Sequence, residues 1–183
     1  KKCKLFTNLD PYVDVNPANL FLTKFFFKRK TKNFLSIKDT DFKIYKHVKD
    51  INKIKDMFDI VVSLSCLEHV KNLDNTFTKL KFITKKNHKQ FHIINFSSHL
   101  NKIHPFKDLY EIHPKEFKKK YNNNINFLRI SDYTKLLDKK KYSFTVKILD
   151  TSPINKIKLH RYWKKYSIDE LQIRTVLLKV SKN

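Results

Sequence analysis

The stretch FDIVVSLSCLEHV, residues 58–70, decides how the chain is to be read. Ile60, Val61 and Val62 make a continuous run of β-branched residues, the pattern of a strand buried on both faces, which points to a parallel sheet. The run then turns polar within a few residues, at Ser63 and Ser65, before Leu67-Glu68-His69-Val70 opens the next element. A strand that ends at the ligand edge of a parallel sheet has to change this abruptly, because its last residues leave the core and meet the crevice at the carboxyl ends.

Outward from this stretch the chain alternates between strands and helices. Leu73, Phe77, Leu80 and Ile83 recur at three- and four-residue spacing with Asp74 in the first turn, which predicts an amphipathic helix over 73–83 with Lys79 and Lys81 in water. Strands are predicted at 91–96, 143–149 and 173–180, and a helix over 131–137 capped by Ser131 or Asp132. Upstream, KLFT at 4–7 is a short strand ending in the turn signal Asn8-Leu9-Asp10-Pro11. Pro17 is placed for the first turn of a short helix, and 42–48 is a further strand followed by Lys49-Asp50. The plan is α/β. Residues 97–126 break the rhythm with His99, His104, His113 and the run KKKYNNNIN. So long a connection after a central strand is expected to hang over the ligand as a lid-like insertion.

Composition sets limits on what such a domain does. The chain has 183 residues, enough for one domain, with 40% hydrophobic and 14% aromatic content to build its core. Its formal charge is +23, from 40 Lys+Arg against 17 Asp+Glu. Lys, Asn, Ile, Phe and Tyr are abundant, Ala occurs once, at Ala18, and Gly is absent. That is the bias of an AT-rich coding sequence, so the charge is read as a dispersed, solvated surface. No stripe of Arg and aromatics at binding spacing stands out, and no specific nucleic-acid partner is expected. Cys3 and Cys66 lie far apart without a CxxC pairing, which fits a reducing, cytoplasmic setting and neither a disulfide framework nor a zinc site. The apolar run at 20–27 is interrupted by Thr23 and Lys24 and falls short of the ~20 residues of a membrane span. No signal peptide is visible. The chain opens Lys-Lys-Cys and its single methionine is Met57, so it is expected to be truncated at its N-terminus.

The run FDIVVSLSCLEHVKNLDNTFTKLKFITKKNHKQFHIINF resembles the second half of class I S-adenosylmethionine-dependent methyltransferases, where a strand with an FD-[IV]-V pattern leads into Leu-Glu-His-Val, a helix, a glycine-containing turn and the next strand. LFTNLDPY resembles the family's second strand. NFLRISDYTKLLDKKKYSFTV resembles the helix and strand before its final hairpin, and YSIDELQIRTVLLKV its last strand. The resemblance implies a Rossmann-like sheet with helices on both faces, mostly parallel with an antiparallel final strand, over residues 1–183 as a single domain. It also implies S-adenosylmethionine as cofactor and a small-molecule or sugar-like methyl acceptor under the insertion. Two departures stand out. The family's first strand and Gly-rich cofactor loop have no counterpart here, and its glycine turn is replaced by Lys85-Lys86-Asn87-His88, where Asn87 is expected to take a left-handed conformation.

The same resemblance assigns roles. Asp10 matches the acid that grips the ribose hydroxyls, with a plain Asp-Pro turn as the other reading. Asp50 matches the place where the adenine amino group is held, or is a solvated loop acid. Ser63, Leu64 and Ser65 would lie against the methionine portion, with Leu67, Glu68 and His69 beside them. Glu68 and His69 alternatively satisfy backbone donors at a helix start. His99 could take a proton from the acceptor, since imidazole titrates near neutrality, or be a hydrogen-bonded residue of the lid. The spacing of His99, His104 and His113 fits no compact ligand motif, so no metal is expected. The competing class is a protein without turnover: a catalytically inactive methyltransferase-like fold or a basic nucleic-acid-binding module.

Overall fold

The computed structural model of the chain describes residues 6–7, 44–45, 57–100, 103–122 and 125–182. The chain divides into two compact units, Lys1–Asp56 and Met57–Asn183. In the first, β1 (Phe6–Thr7) and β2 (Ile44–Tyr45) pair in parallel, with Phe6 opposite Ile44. These strands fall inside the stretches expected at 4–7 and 42–48. Asp10, Asp50 and the helix expected at Pro17 lie outside the described residues.

The second unit is built on β3 (Phe58–Leu64), β4 (Thr84–Asn95), β5 (Tyr142–Thr151) and β6 (Ile173–Lys182), in the spatial order β3-β4-β6-β5. β3 and β4 are parallel, and β6 runs antiparallel to both β4 and β5. The last strand is therefore inserted between two earlier ones, and β3, β4 and β5 all end at the edge where β6 begins. The helices Leu73–Phe82 and Ile130–Lys139 follow β3 and precede β5. Both crossovers step across the sheet in one direction, and right-handed connections place them on one face. Lys140 ties them together, its Nζ 2.7 Å from Thr78 Oγ1 and 3.1 Å from Asp74 Oδ1. On that face Phe77, Leu80, Ile94, Val176, Leu178 and Val180 are buried. Each such Leu or Phe side chain contributes ~1.5–3 kcal/mol by leaving water.

Several expectations are corrected in detail. β3 is not buried on both faces: Ile60, Val62 and Leu64 are 58%, 60% and 67% exposed. Among the described residues β3 pairs with β4 alone, and the helices cover the opposite face, the one to which Val61 and Ser63 belong. β4 starts at Thr84, seven residues before the expected 91, because the preceding helix closes at Phe82 and the Thr84 hydroxyl bonds back to the Leu80 carbonyl at 2.7 Å. Lys85-Lys86-Asn87-His88 consequently lies within the strand, where a register shift between Phe58↔Thr84 and Ile60↔Lys89 absorbs the extra residues. Asn87 is not among the positive-φ residues. In the first helix Lys81 is exposed as expected, but Lys79 and Ile83 are half-buried. The second helix begins at Ile130, and Asp132, at its third position, accepts from the Arg129 backbone N–H at 2.8 Å.

The insertion is packed structure. It carries the helices Lys107–Glu111 and Pro114–Tyr121, which share a core with the connection from β5 to β6. Phe106, Tyr110, Phe117, Trp163 and Leu171 are at most 1% exposed there. The Tyr110 hydroxyl donates to the Leu171 carbonyl (2.9 Å) and the Trp163 indole to the Ile112 carbonyl (3.3 Å). Arg129 lies inside this aromatic group, its guanidinium 4.8 Å from the Trp163 ring centre and 5.0 Å from that of Tyr110. These segments leave the sheet at the shared edge and form a cap.

Candidate functional site

Two strained backbone positions shape the carboxyl edge of the sheet. In a chain without glycine, every left-handed position has to be taken by a residue that bears a Cβ. Ser65, just past β3, has φ 46°, and His99, just past β4, has φ 59°. Outliers of this kind persist where the surrounding structure holds them, and they concentrate at functional sites. The Ser65 N–H donates to the Ile93 carbonyl at 2.9 Å, which binds the first turn to the neighbouring strand.

After Ser65 the chain makes a 3-10 turn over Leu67–His69. Asn126 pins it. Its backbone N–H donates to the Glu68 carbonyl (2.7 Å), and its side-chain amide donates to the carbonyls of Leu67 (2.8 Å) and Val70 (3.1 Å). The Tyr133 hydroxyl also donates to Leu67 (3.2 Å). Nothing in the sequence marks Asn126, one of several asparagines in a low-complexity run.

The turn buries Glu68, which is 2% exposed. Its Oε1 accepts from the Asn95 N–H at 3.3 Å, while Oε2 has no hydrogen-bond partner among the described residues. Burial pushes the carboxyl up to about 7, against the backbone N–H groups of Glu68 and Asn95 and the Ser65 hydroxyl, which favour the charged form. His99 Nε2 stands 4.0 Å from Glu68 Oε1, and the His99 ring stacks on that of His69 with centroids 5.4 Å apart. Burial, and then the charge of His69, hold His99 below the usual imidazole range. A cleft of about 10 Å³, bordered by Glu68, Asn95, Asn126 and Arg129, has room for about one water and none for an organic ligand.

The structure thus brings Glu68, His69 and His99 together and separates the insertion's histidines. His113 packs against His160 and Tyr162, at 5.6 and 5.3 Å between ring centres. Leu67 is buried, and Leu64 is exposed at the end of β3. The Ser63 side chain is turned into the sheet's covered face, where its hydroxyl meets His92 Nδ1 at 2.8 Å. That contact starts a buried chain. His88 Nδ1 lies 2.7 Å from the Lys85 carbonyl, which can only accept, so His88 Nε2 accepts from the Gln90 amide (2.8 Å) and Gln90 Oε1 accepts from His92 Nε2–H (3.0 Å). Burial holds His92 down to about 4, so its imidazole is neutral in this chain.

No protein-family model matches the chain, and no curated protein matches it in sequence. Solved structures match it in fold. An S-adenosylmethionine-dependent methyltransferase from Mesorhizobium loti matches with a TM-score of 0.55 at 11% identity, over 98% of this chain and 81% of that one. A protein from Listeria monocytogenes assigned to the same class gives 0.53 at 13% identity, over 98% and 81%. One from Bacillus halodurans, assigned as a methyltransferase, gives 0.52 at 15%, over 98% and 83%. The chain has the Rossmann-like fold of class I methyltransferases, with the antiparallel final strand set inside an otherwise parallel sheet.

Proposed function

We propose that the protein is an S-adenosylmethionine-dependent methyltransferase, a single domain over residues 1–183, acting on a small-molecule or sugar-like acceptor beneath the cap. The observation that carries this reading is the carboxyl edge of β3 and β4. There the left-handed residues Ser65 and His99 turn the chain off the sheet and set Glu68 and His69 at the rim, in a fold shared with S-adenosylmethionine-dependent enzymes. The sulfonium of the donor supplies the electrophile, so the protein's part is to align donor and acceptor and exclude water. In this reading Asp10 binds the ribose hydroxyls and Asp50 the adenine amino group. The turn Ser63-Leu64-Ser65 and the segment Leu67-Glu68-His69 lie along the methionine portion. His99, held neutral by burial, accepts the acceptor's proton.

Titration calorimetry with S-adenosylmethionine and S-adenosylhomocysteine tests the reading. Binding of both is expected, weakened about tenfold or more by Asp10→Ala through loss of a charge-assisted hydrogen bond worth roughly 1.5–3 kcal/mol. Binding of neither ligand refutes it. Binding without methyl transfer to any acceptor supports the inactive methyltransferase-like alternative.

A further inference from the structure

We propose that Glu68, His69 and His99 form a binding site for one divalent transition-metal ion, of the class of Zn2+, Co2+ or Mn2+. The inference goes beyond methyl transfer and replaces the proton-accepting role given to His99 above, since an imidazole that coordinates an ion through Nε2 takes no proton there; it is decided by metal binding alone. One ligand atom from each of the three residues lies within 4.8 Å of the other two. Neighbouring ligands on a tetrahedral ion with bonds of ~2.1 Å stand roughly 3.4 Å apart, so side-chain torsions have to draw the three atoms together by about 1 Å or more to complete the set.

The 4.0 Å between His99 Nε2 and Glu68 Oε1 points the same way. It is too long for a hydrogen bond and is the spacing of two groups that share a third between them. The second carboxylate oxygen of Glu68 is buried with no hydrogen-bond partner among the described residues, a condition that is expensive for a carboxylate and that a cation relieves.

The scaffold is prepared as metal sites require. The ligands come from the two loops that leave adjacent parallel strands, each entered or held through a left-handed residue, Ser65 or His99 itself. Asn126 and Tyr133 fix the backbone of the turn that carries Glu68 and His69. The donor set selects the ion. Mg2+ and Ca2+ take oxygen ligands, whereas two imidazoles with one carboxylate suit Zn2+ and its first-row neighbours. Three protein ligands leave a coordination position open, as in catalytic rather than structural sites.

The test uses the whole chain, stripped with a chelator and without methyl donor, so its outcome is separate from that of the donor titrations. Co2+ is titrated and followed by visible d–d absorption, and Zn2+ by calorimetry. One ion per chain is expected to bind at micromolar affinity or tighter, and Glu68→Gln and His99→Ala each to weaken binding tenfold or more. Because the His99 side chain is partly exposed, at 32%, and Glu68→Gln keeps the side-chain shape, circular dichroism should show both variants folded. His113→Ala, at the separate histidine cluster, should leave binding unchanged. A folded wild-type chain that develops no Co2+ band, or Zn2+ affinity indifferent to both substitutions, overturns the site.

Discussion

At the scale of single residues, Asn126 and His92 do work that their types alone do not announce. Asn126 satisfies the carbonyls of Leu67, Glu68 and Val70 with its own backbone and side-chain donors. Asn126→Ala removes the side-chain donors while leaving their acceptors partly buried, so a loss of about 1–3 kcal/mol is expected in urea unfolding. Asn126→Asp, which keeps the shape but offers no N–H, should lose as much. His92 sits in a buried chain that uses its neutral form, with its pKa held at about 4 against 6.5 in the unfolded chain. Between those values the unfolded state binds the extra proton. The contribution is therefore whole above pH 6.5 and is lost as pH falls toward 4, by about 3 kcal/mol. The buried Glu68 carboxyl, raised to about 7, acts oppositely, losing its contribution as pH rises from 4.5 to 7. The His92 effect is isolated by comparison with His92→Gln, whose stability relative to wild type should improve steadily from pH 6.5 to 4. A difference that does not change with pH would mean that His92 is not held neutral.

At the scale of elements, the sheet's two faces are unequal. Phe77 is fully buried between the helix and the sheet, its ring 5.9 Å from His92 and 6.3 Å from Tyr142. Phe77→Ala is expected to destabilise by about 3–5 kcal/mol through lost burial and the cavity left behind. Val62, on the uncovered face of β3, is 60% exposed, whereas Val176 of β6 is 0% exposed. Val→Thr, nearly equal in shape, separates the two faces: within about 0.5 kcal/mol of wild type at Val62, but 1–3 kcal/mol lower at Val176, where the new hydroxyl enters the core. A comparable loss at Val62 in thermal or denaturant unfolding would show that its face is packed.

At the scale of the whole molecule, the charge of +23 sets behaviour in solution more than it sets the fold. The helix Pro114–Tyr121 carries Lys115, Lys118, Lys119 and Lys120 on its exposed surface. Binding to nucleic acid at low salt is expected through phosphates alone and should fall steeply as salt rises from 50 to 200 mM, with no preference among sequences. A sequence-selective complex that survives physiological salt, seen by fluorescence anisotropy, would favour the basic nucleic-acid-binding alternative. No helix among the described residues is long and apolar enough to cross a membrane.

Much of the element plan was legible in the sequence because it is local. The β-branched run at 58–64, the helical spacing of Leu73, Phe77 and Leu80, and the closing strand at 173 each express a periodicity that a short segment carries by itself. The candidate site was legible in part: Glu68 and His69 stand together in the Leu67-Glu68-His69 segment and His99 stands apart in the insertion, and the sequence offers no link between the pair and His99. Their meeting depends on the parallel pairing of β3 with β4, which sets two loops some thirty positions apart side by side. Tertiary pairing likewise turned Ser63 into the core to meet His92, left Ile60, Val62 and Leu64 on an uncovered face, and slotted β6 between β4 and β5. The physical reason is common to all three. Periodicity states which side chains share a face of their own element, whereas the partner of that face is chosen by burial and hydrogen bonding between segments distant in the chain.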